Sequence, residues 1–274
     1  MTADIATRPR GVRAPVRAIL VATMRSVLAY RSDVVVGIIG LLSRLFLLKV
    51  LWDAIYQGHG SVSGVTQQTA VSYALLAALL SSLFQPWQFF PLVEKVRTGD
   101  IVFDVLRPIG LVTMTSAEQT GAILASAPRI LFGAILAVVL LGGVPAPEPA
   151  VAAAFCVSLI LGAANSVICN VIVNMAAFWS LEIGGALVVY QVAVSFCSGA
   201  LVPFWFMPGW LATLLSFLPF SAQVSTPATI ALGSGIDLRT VFLLLVQAIW
   251  IVLLILAARI VAARGVRRLV VQGG

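Results

Sequence analysis

Charge is what this sequence has least of. Of 274 residues, 10% are Asp, Glu, Lys or Arg and 61% are hydrophobic, whereas a soluble domain carries about 25% charged residues. Such a chain cannot cover a water-facing surface, and its mean hydropathy of +1.08 places it in a bilayer. The segments between its apolar runs are too short for a separate soluble domain, so any ATP-hydrolysing head belongs to another chain. Histidine is confined to His59 and cysteine to Cys156, Cys169 and Cys197, with no CxxC. Zinc and iron–sulfur sites therefore lack ligands, and a disulfide framework does not fit. The three cysteines sit inside apolar runs and read as small buried hydrophobes. Absent too are GxxxxGK[ST], HExxH and GxSxG, so neither a phosphate-cradling loop nor a familiar hydrolytic site is present. Lysine is limited to Lys49 and Lys95, a bias toward Arg that reads as genomic.

What is present is a series of apolar runs near the ~20 residues that a spanning helix needs. They predict an all-α membrane protein with six spans, at about 34–56, 70–91, 120–142, 150–177, 183–202 and 239–262. Residues 1–33 form an N-terminal region, 34–265 the spanning domain and 266–274 a tail. The first 33 residues carry Arg8, Arg10, Arg13, Arg17, Arg25 and Arg31 without an apolar core or a cleavage site, so the first span is expected to act as the insertion signal. Residues 13–31 alternate Arg with Ile19, Leu20, Met24, Val27 and Leu28, the pattern of an amphipathic helix in the headgroup layer.

The net charge of +7 is distributed unevenly. Six Arg lie before the first span, Lys95, Arg97 and Arg107 follow the second, and Arg259, Arg264, Arg267 and Arg268 close the chain. The opposite side holds Arg239 beside Asp53, Glu148 and Asp237. Basic loops stay cytoplasmic, so both termini are expected there. The positive charge reports that flank rather than nucleic-acid binding.

Between the fifth and sixth runs, apolar pieces are broken by Pro203, Pro208, Gly209, Pro219 and Pro227. Each piece is too short to span, which predicts a membrane-dipping helical hairpin near the outer face, packed on protein. Trp205 and Trp210 suit that interface. No repeat of 20–50 residues and no matched pair of interrupted helices is visible.

The segment PLVEKVRTGDIVFDVLRPIGLVTM, after the second run, is the one internal stretch where both charge signs cluster. It carries Glu94, Lys95, Arg97, Asp100, Asp104 and Arg107, with Val96, Ile101, Val105 and Leu106 as an apolar face. Thr98 is placed to cap a short helix starting at Gly99 or Asp100, and Pro108 to end it. A mixed-charge amphipathic helix suits docking of a protein better than contact with lipid alone; the other reading of these residues is a solvated loop with a membrane-lying helix.

Through Arg97, Thr98, Gly99, Asp100, Leu106, Arg107 and Pro108 this segment resembles the cytoplasmic segment of type-2 ABC export permeases. More narrowly, it looks like a branch of small six-span bacterial permeases reading "tGD…LLRP"; Val105 stands where that branch often has Leu. The resemblance implies an inner-membrane permease subunit, itself no enzyme, forming half of an export path. It implies two copies of a separate ATPase that hold Mg-ATP and contact residues 94–108. It also implies a second permease, the same or a related chain.

Several polar residues fall inside the runs. Arg44 lies near mid-membrane, where a central Arg costs about 2.5–3.5 kcal/mol on insertion scales. It is placed either to meet an anionic substrate group or partner carboxylate, or to make a structural contact. Arg129, after Pro128 in the inner part of the third span, is placed either to snorkel inward or to line a pathway. Ser166, Asn170 and Asn174 recur every four residues with Asn165 alongside, so they share a helical face. That face serves as helix–helix glue or lines a pathway. Lys49 and Asp53 are spaced for a local ion pair, and Glu118 and Glu182 for pairing with Arg of the tail or N-terminal helix. Gly37, Gly40, Gly184 and Gly185 allow close backbone approach. The competing functions are an ion-gradient-driven secondary transporter, or a membrane-embedded enzyme acting on lipid-linked substrates. Sparse intramembrane acids and the missing catalytic clusters disfavour both.

Overall fold

The computed structural model describes residues 13–29, 31–58, 61–62, 64–84, 91–107, 109–141, 147–179 and 184–272. Of these, 83% are helical. His59, Pro108 and Glu182, named above from the sequence, lie outside the described residues. The helices are α1 (Arg13–Ala29), α2 (Arg31–Ile55), α3 (Gln67–Phe84), α4 (Pro91–Thr98), α5 (Ile101–Val105), α6 (Leu111–Leu141), α7 (Pro149–Asn174), α8 (Gly184–Cys197), α9 (Gly209–Ser216), α10 (Ser225–Ala231) and α11 (Leu238–Gln272). A small antiparallel hairpin, β1 (Ser61–Val62) and β2 (Val65–Thr66), joins α2 to α3.

Among the described residues, five helices are long and apolar enough to cross a membrane: Ser32–Ile55, Gln67–Phe84, Leu111–Val138, Pro149–Phe178 and Leu238–Arg268. The remaining expected span, 183–202, is a shorter apolar helix. The 14 residues of α8 reach about 21 Å at 1.5 Å per residue, against a hydrocarbon core of about 30 Å. The run is cut at Gly199, whose φ of +75° a side chain disfavours and whose carbonyl accepts a hydrogen bond from Tyr73 OH at 3.1 Å. Length therefore supports five spans, with α8 as an added apolar helix.

Packing sorts these helices into enclosed and peripheral ones. In α3, 61% of the apolar stretch is buried, against 11% in α2 and 17% in α11. The alternation of Ala and Ser with Leu in α3 lets α2, α6, α7 and α10 approach it closely. The largest core cluster lies at the end that carries α4 and α5, where Leu92, Ile101, Met114, Met175, Phe178 and Ala258 meet. At the opposite end Trp52, Tyr56, Ala70 and Ala74 close over the β-hairpin, with Phe206 stacked on Trp52 at 5.3 Å between centroids.

Several boundaries differ from the apolar runs. α6 begins at Leu111, nine residues before the expected span, because the polar turns over 111–119 are covered by other elements. α1 crosses α6 at Gly121, where a methyl group would stand 2.8 Å from the Leu20 carbonyl. α11 continues through the basic tail to Gln272, past Gly265, which lies under the Phe178 ring. Cysteines also depart from the buried-hydrophobe reading: Cys169 is buried, but Cys156 is exposed on α7 and Cys197 is half-buried. Gly40 and Gly185 face open space rather than a close neighbour.

Candidate functional site

Residues 91–107 form two short helices rather than the single one expected. Pro91 opens α4, where its missing N–H costs nothing. Gly99, at φ +84°, ends α4 in the left-handed conformation. Thr98 therefore closes α4 instead of capping a following helix. Its hydroxyl hydrogen-bonds the Glu94 carbonyl at 3.1 Å and the Asp100 carboxylate at 2.8 Å. Asp100 stands before α5 without a side-chain capping bond.

Lys95 holds the segment to the bundle. Its ammonium lies 2.8 Å from Asp104 on α5 and 2.6 Å from Glu118 on α6, so one cation ties three helices. Glu118 thus pairs with Lys95, not with an arginine of the tail or N-terminal helix. Burial would lower the Lys95 pKa, but hydrogen bonds and charge from Asp104 and Glu118 outweigh it and raise the value. Leu92 and Ile101 anchor the same segment in the core. The expected apolar face consequently divides. Ile101 points inward, while Val102, Phe103 and Leu106 stand outward at 56%, 67% and 77% exposure. Around them are Glu94 and Arg97, paired at 2.8 Å on the surface, and Arg107, 3.5 Å from Asp104. The Arg97 pKa is raised by its hydrogen bond and charge contact with Glu94.

A second arrangement lies midway along the long helices. Arg44 is about 18 Å along α2 from Ser32 and about 17 Å from Ile55. Arg44 and Arg129 line one cavity of about 460 Å³ between α2, α3, α6 and α8. Ser81, Ser82 and Gln191 add polar groups, and Leu41, Ile130 and Val192 supply apolar wall. Gly37 makes room for Arg129: a methyl there would collide with the guanidinium. Among the described residues neither arginine forms a salt bridge, and the Arg129 Nε is buried without a hydrogen-bond partner. Lys49, one turn beyond Arg44, does pair with Asp53 at 2.6 Å.

The polar face of α7 lies elsewhere. Asn165, Ser166, Asn170 and Asn174 are all buried. Ser166 donates to the Phe84 carbonyl, and Asn170 reaches the same oxygen at 3.4 Å. Both thereby satisfy the carbonyl left open at the end of α3. Asn174 donates to the Asn170 carbonyl at 2.9 Å and Asn165 to the Gln247 carbonyl at 3.1 Å. Gln247 completes this seam. It accepts from Ser158 Oγ at 3.0 Å and donates to the carbonyls of Ser158 at 3.1 Å and Ala222 at 2.7 Å.

The proline-broken segment folds as a 3-10 turn (Phe204–Phe206) followed by α9 and α10. Pro203 and Pro208 immediately precede the turn and α9, and Pro219 sits in the link to α10. Trp205 packs edge-on against Tyr73 at 4.6 Å, whereas Trp210 is exposed. Trp250 Nε1 donates to the Phe217 carbonyl at 2.8 Å and fastens the end of α9 to α11.

Sequence reasoning missed Lys95 as the clamp, Phe103 as an outward residue, and the Ser158–Gln247 link. The isolated Gln247 inside an apolar run was a usable signal; the Lys95–Glu118 contact, 23 residues apart, was not. No curated protein and no solved structure matches the chain. A family model described as "ABC-2 family transporter protein" matches residues 42–273.

Proposed function

The chain belongs to the ABC-2 family of transporter proteins, and from that premise we propose that it is the permease half of an ATP-driven exporter worked through α4 and α5. The family makes it a transport component of a membrane that generally acts with ABC ATPase subunits. The observation that carries the finer reading is the exposed trio Val102, Phe103 and Leu106. Three large apolar side chains stand exposed on a segment outside the long spans, and Glu94, Arg97, Asp100 and Arg107 of the same segment are exposed with them. An apolar centre with a charged rim is the make-up of a protein–protein interface.

In this reading the trio docks a separate ATPase, two copies of which hold Mg-ATP and serve two permeases, of one kind or of two related kinds. The termini and α4–α5 are cytoplasmic, on the side rich in Arg. The hairpin of α9 and α10 dips from the outer face, and α8 lines the path. ATP binding favours one of two permease states because the docked ATPase binds that state more tightly. Lys95 carries the displacement from α4 and α5 into α6 through Glu118, and Leu92 carries it into the core.

The test is copurification with the ATPase encoded nearby, and stimulation of its hydrolysis, for Phe103→Glu and Leu106→Asp. Both variants are expected to lose the ATPase at least about tenfold while keeping the thermal midpoint of the parent chain. Undiminished recruitment by the double variant overturns the docking assignment.

A further inference from the structure

The cavity between α2, α3, α6 and α8 has an unusual charge balance. Two guanidinium groups line it at mid-helix, and every described carboxylate is elsewhere. Asp53 is taken by Lys49 and Gln67, Asp104 and Glu118 by Lys95, and Glu94 by Arg97. Asp33, Asp100, Glu148 and Asp237 also lie outside the cavity. Among the described residues, Lys49 and Lys95 are thus neutralised from within and Arg44 and Arg129 are left without a counter-charge. An intramembrane cation is tolerated where it meets an anion or water. The Arg129 side chain moreover lies over Gly37, and its Nε is buried and unpartnered.

We infer that this cavity binds the phosphate or carboxylate headgroup of an anionic amphiphile, with Arg44 and Arg129 as the anion ligands. Guanidinium groups suit such oxygens because they present paired N–H donors in one plane. The volume of about 460 Å³ falls within the about 300–1,000 Å³ of small-molecule sites. Leu41, Ile130 and Val192 offer apolar wall for the attached chain. The inference rests on the transport reading where it concerns cargo, but the binding step needs neither ATP nor a partner.

The test uses the full chain in phosphatidylcholine nanodiscs, titrated with three labelled probes: phosphatidylglycerol, lysophosphatidic acid, and phosphatidylcholine as the neutral reference. Both anionic probes are expected to bind at least about tenfold more tightly than the neutral one, about 1.4 kcal/mol. The Arg44→Gln/Arg129→Gln variant binds all three alike. Arg44→Lys/Arg129→Lys keeps part of the preference, and Arg239→Gln, at the start of α11, keeps all of it. Equal binding of the probes by the parent chain, or full preference in a folded double-Gln variant, overturns the site. Should that variant fail to fold, Gly37→Val decides instead, because it drives the Arg129 guanidinium from its place; an unchanged preference there is equally fatal. Cross-linking of both arginines to carboxylates of a second permease, with no probe bound, also overturns it.

In vesicles with the ATPase present, ATP-driven release of lysophosphatidic acid marks the anion as cargo. Retention of phosphatidylglycerol through turnover marks a resident lipid, and either result supports the site. A chain that binds anions but recruits no ATPase sinks the transport reading and leaves the site standing, so the two failures are distinguishable.

Discussion

Lys95 and the arginines of the mid-helix cavity are all cations of a chain poor in charge, yet the fold treats them oppositely. Lys95 has two carboxylates within 2.8 Å, drawn from two other helices. Arg44 and Arg129 have none among the described residues. The polar seam of α7 and α11 resembles Lys95 in this respect, since its side chains meet backbone carbonyls and one another. Internal partnering marks a group that holds helices together. Its absence marks a group kept for something outside the chain, because the cost of placing a charge among the spans is then not offset by folding.

The largest effect is expected at Lys95. Lys95→Met leaves the buried Asp104 carboxylate with Arg107 alone, at 3.5 Å, and Glu118 without its partner, and should cost about 2–4 kcal/mol of stability, read as a fall in thermal midpoint of the purified chain. A loss no larger than that of a surface substitution would break the comparison. The same contact has a pH signature. The folded Lys95 pKa lies above its ordinary 10.5, so its contribution is fully present below that value and lost as pH rises through the raised one. The parent chain should therefore lose stability in that alkaline window relative to Lys95→Met, a difference visible in paired melting curves.

Next in size is Gln247→Leu, which leaves the Ala222 carbonyl and the Ser158 hydroxyl without their partner. A penalty of about 1–3 kcal/mol is expected, with binding of anionic probes unchanged. Smaller, and of opposite sign, is the effect of Arg44→Gln with Arg129→Gln in neutral detergent. Removing two cations without internal partners should leave the midpoint unchanged or raise it by up to about 1 kcal/mol equivalent. A marked destabilisation would place these arginines with Lys95 after all. The smallest change belongs to Arg97→Ala. Its pair with Glu94 is fully in solvent, where such contacts contribute little, and no shift in midpoint should be measurable.

The long helices were legible because the bilayer leaves the sequence few alternatives: apolar runs of spanning length become helices. Lys49 and Asp53 were legible for a local reason, as partners four apart on one helix. The length of α8 was not, since the same apolar letters continue past Gly199, where a positive φ and the Tyr73 hydroxyl stop the helix. Nor could spacing show that Ser166 and Asn170 face the open end of α3, while Arg44 and Arg129, on different helices, meet in one cavity. Those facts depend on which helices are neighbours, and helix order in space leaves no period in the sequence. The split of the α4–α5 segment had a partial signal in Gly99, which was visible, but the turn it makes also required Ile101 to find the core.

The unbroken run of α11 has a mechanical consequence. Thirty-five residues make a rod of about 52 Å, and its attachments are far apart. Gly265 lies against Phe178, in the 3-10 turn Met175–Phe178 that follows α7 and also touches α4; about 22–27 Å away along the rod, Trp250 and Gln247 grip the carbonyls of Phe217 and Ala222. Any displacement of α4 against Phe178 would therefore reach the α9–α10 segment as the tilt of a single stiff strut, with lever arm and fulcrum set by those two grips.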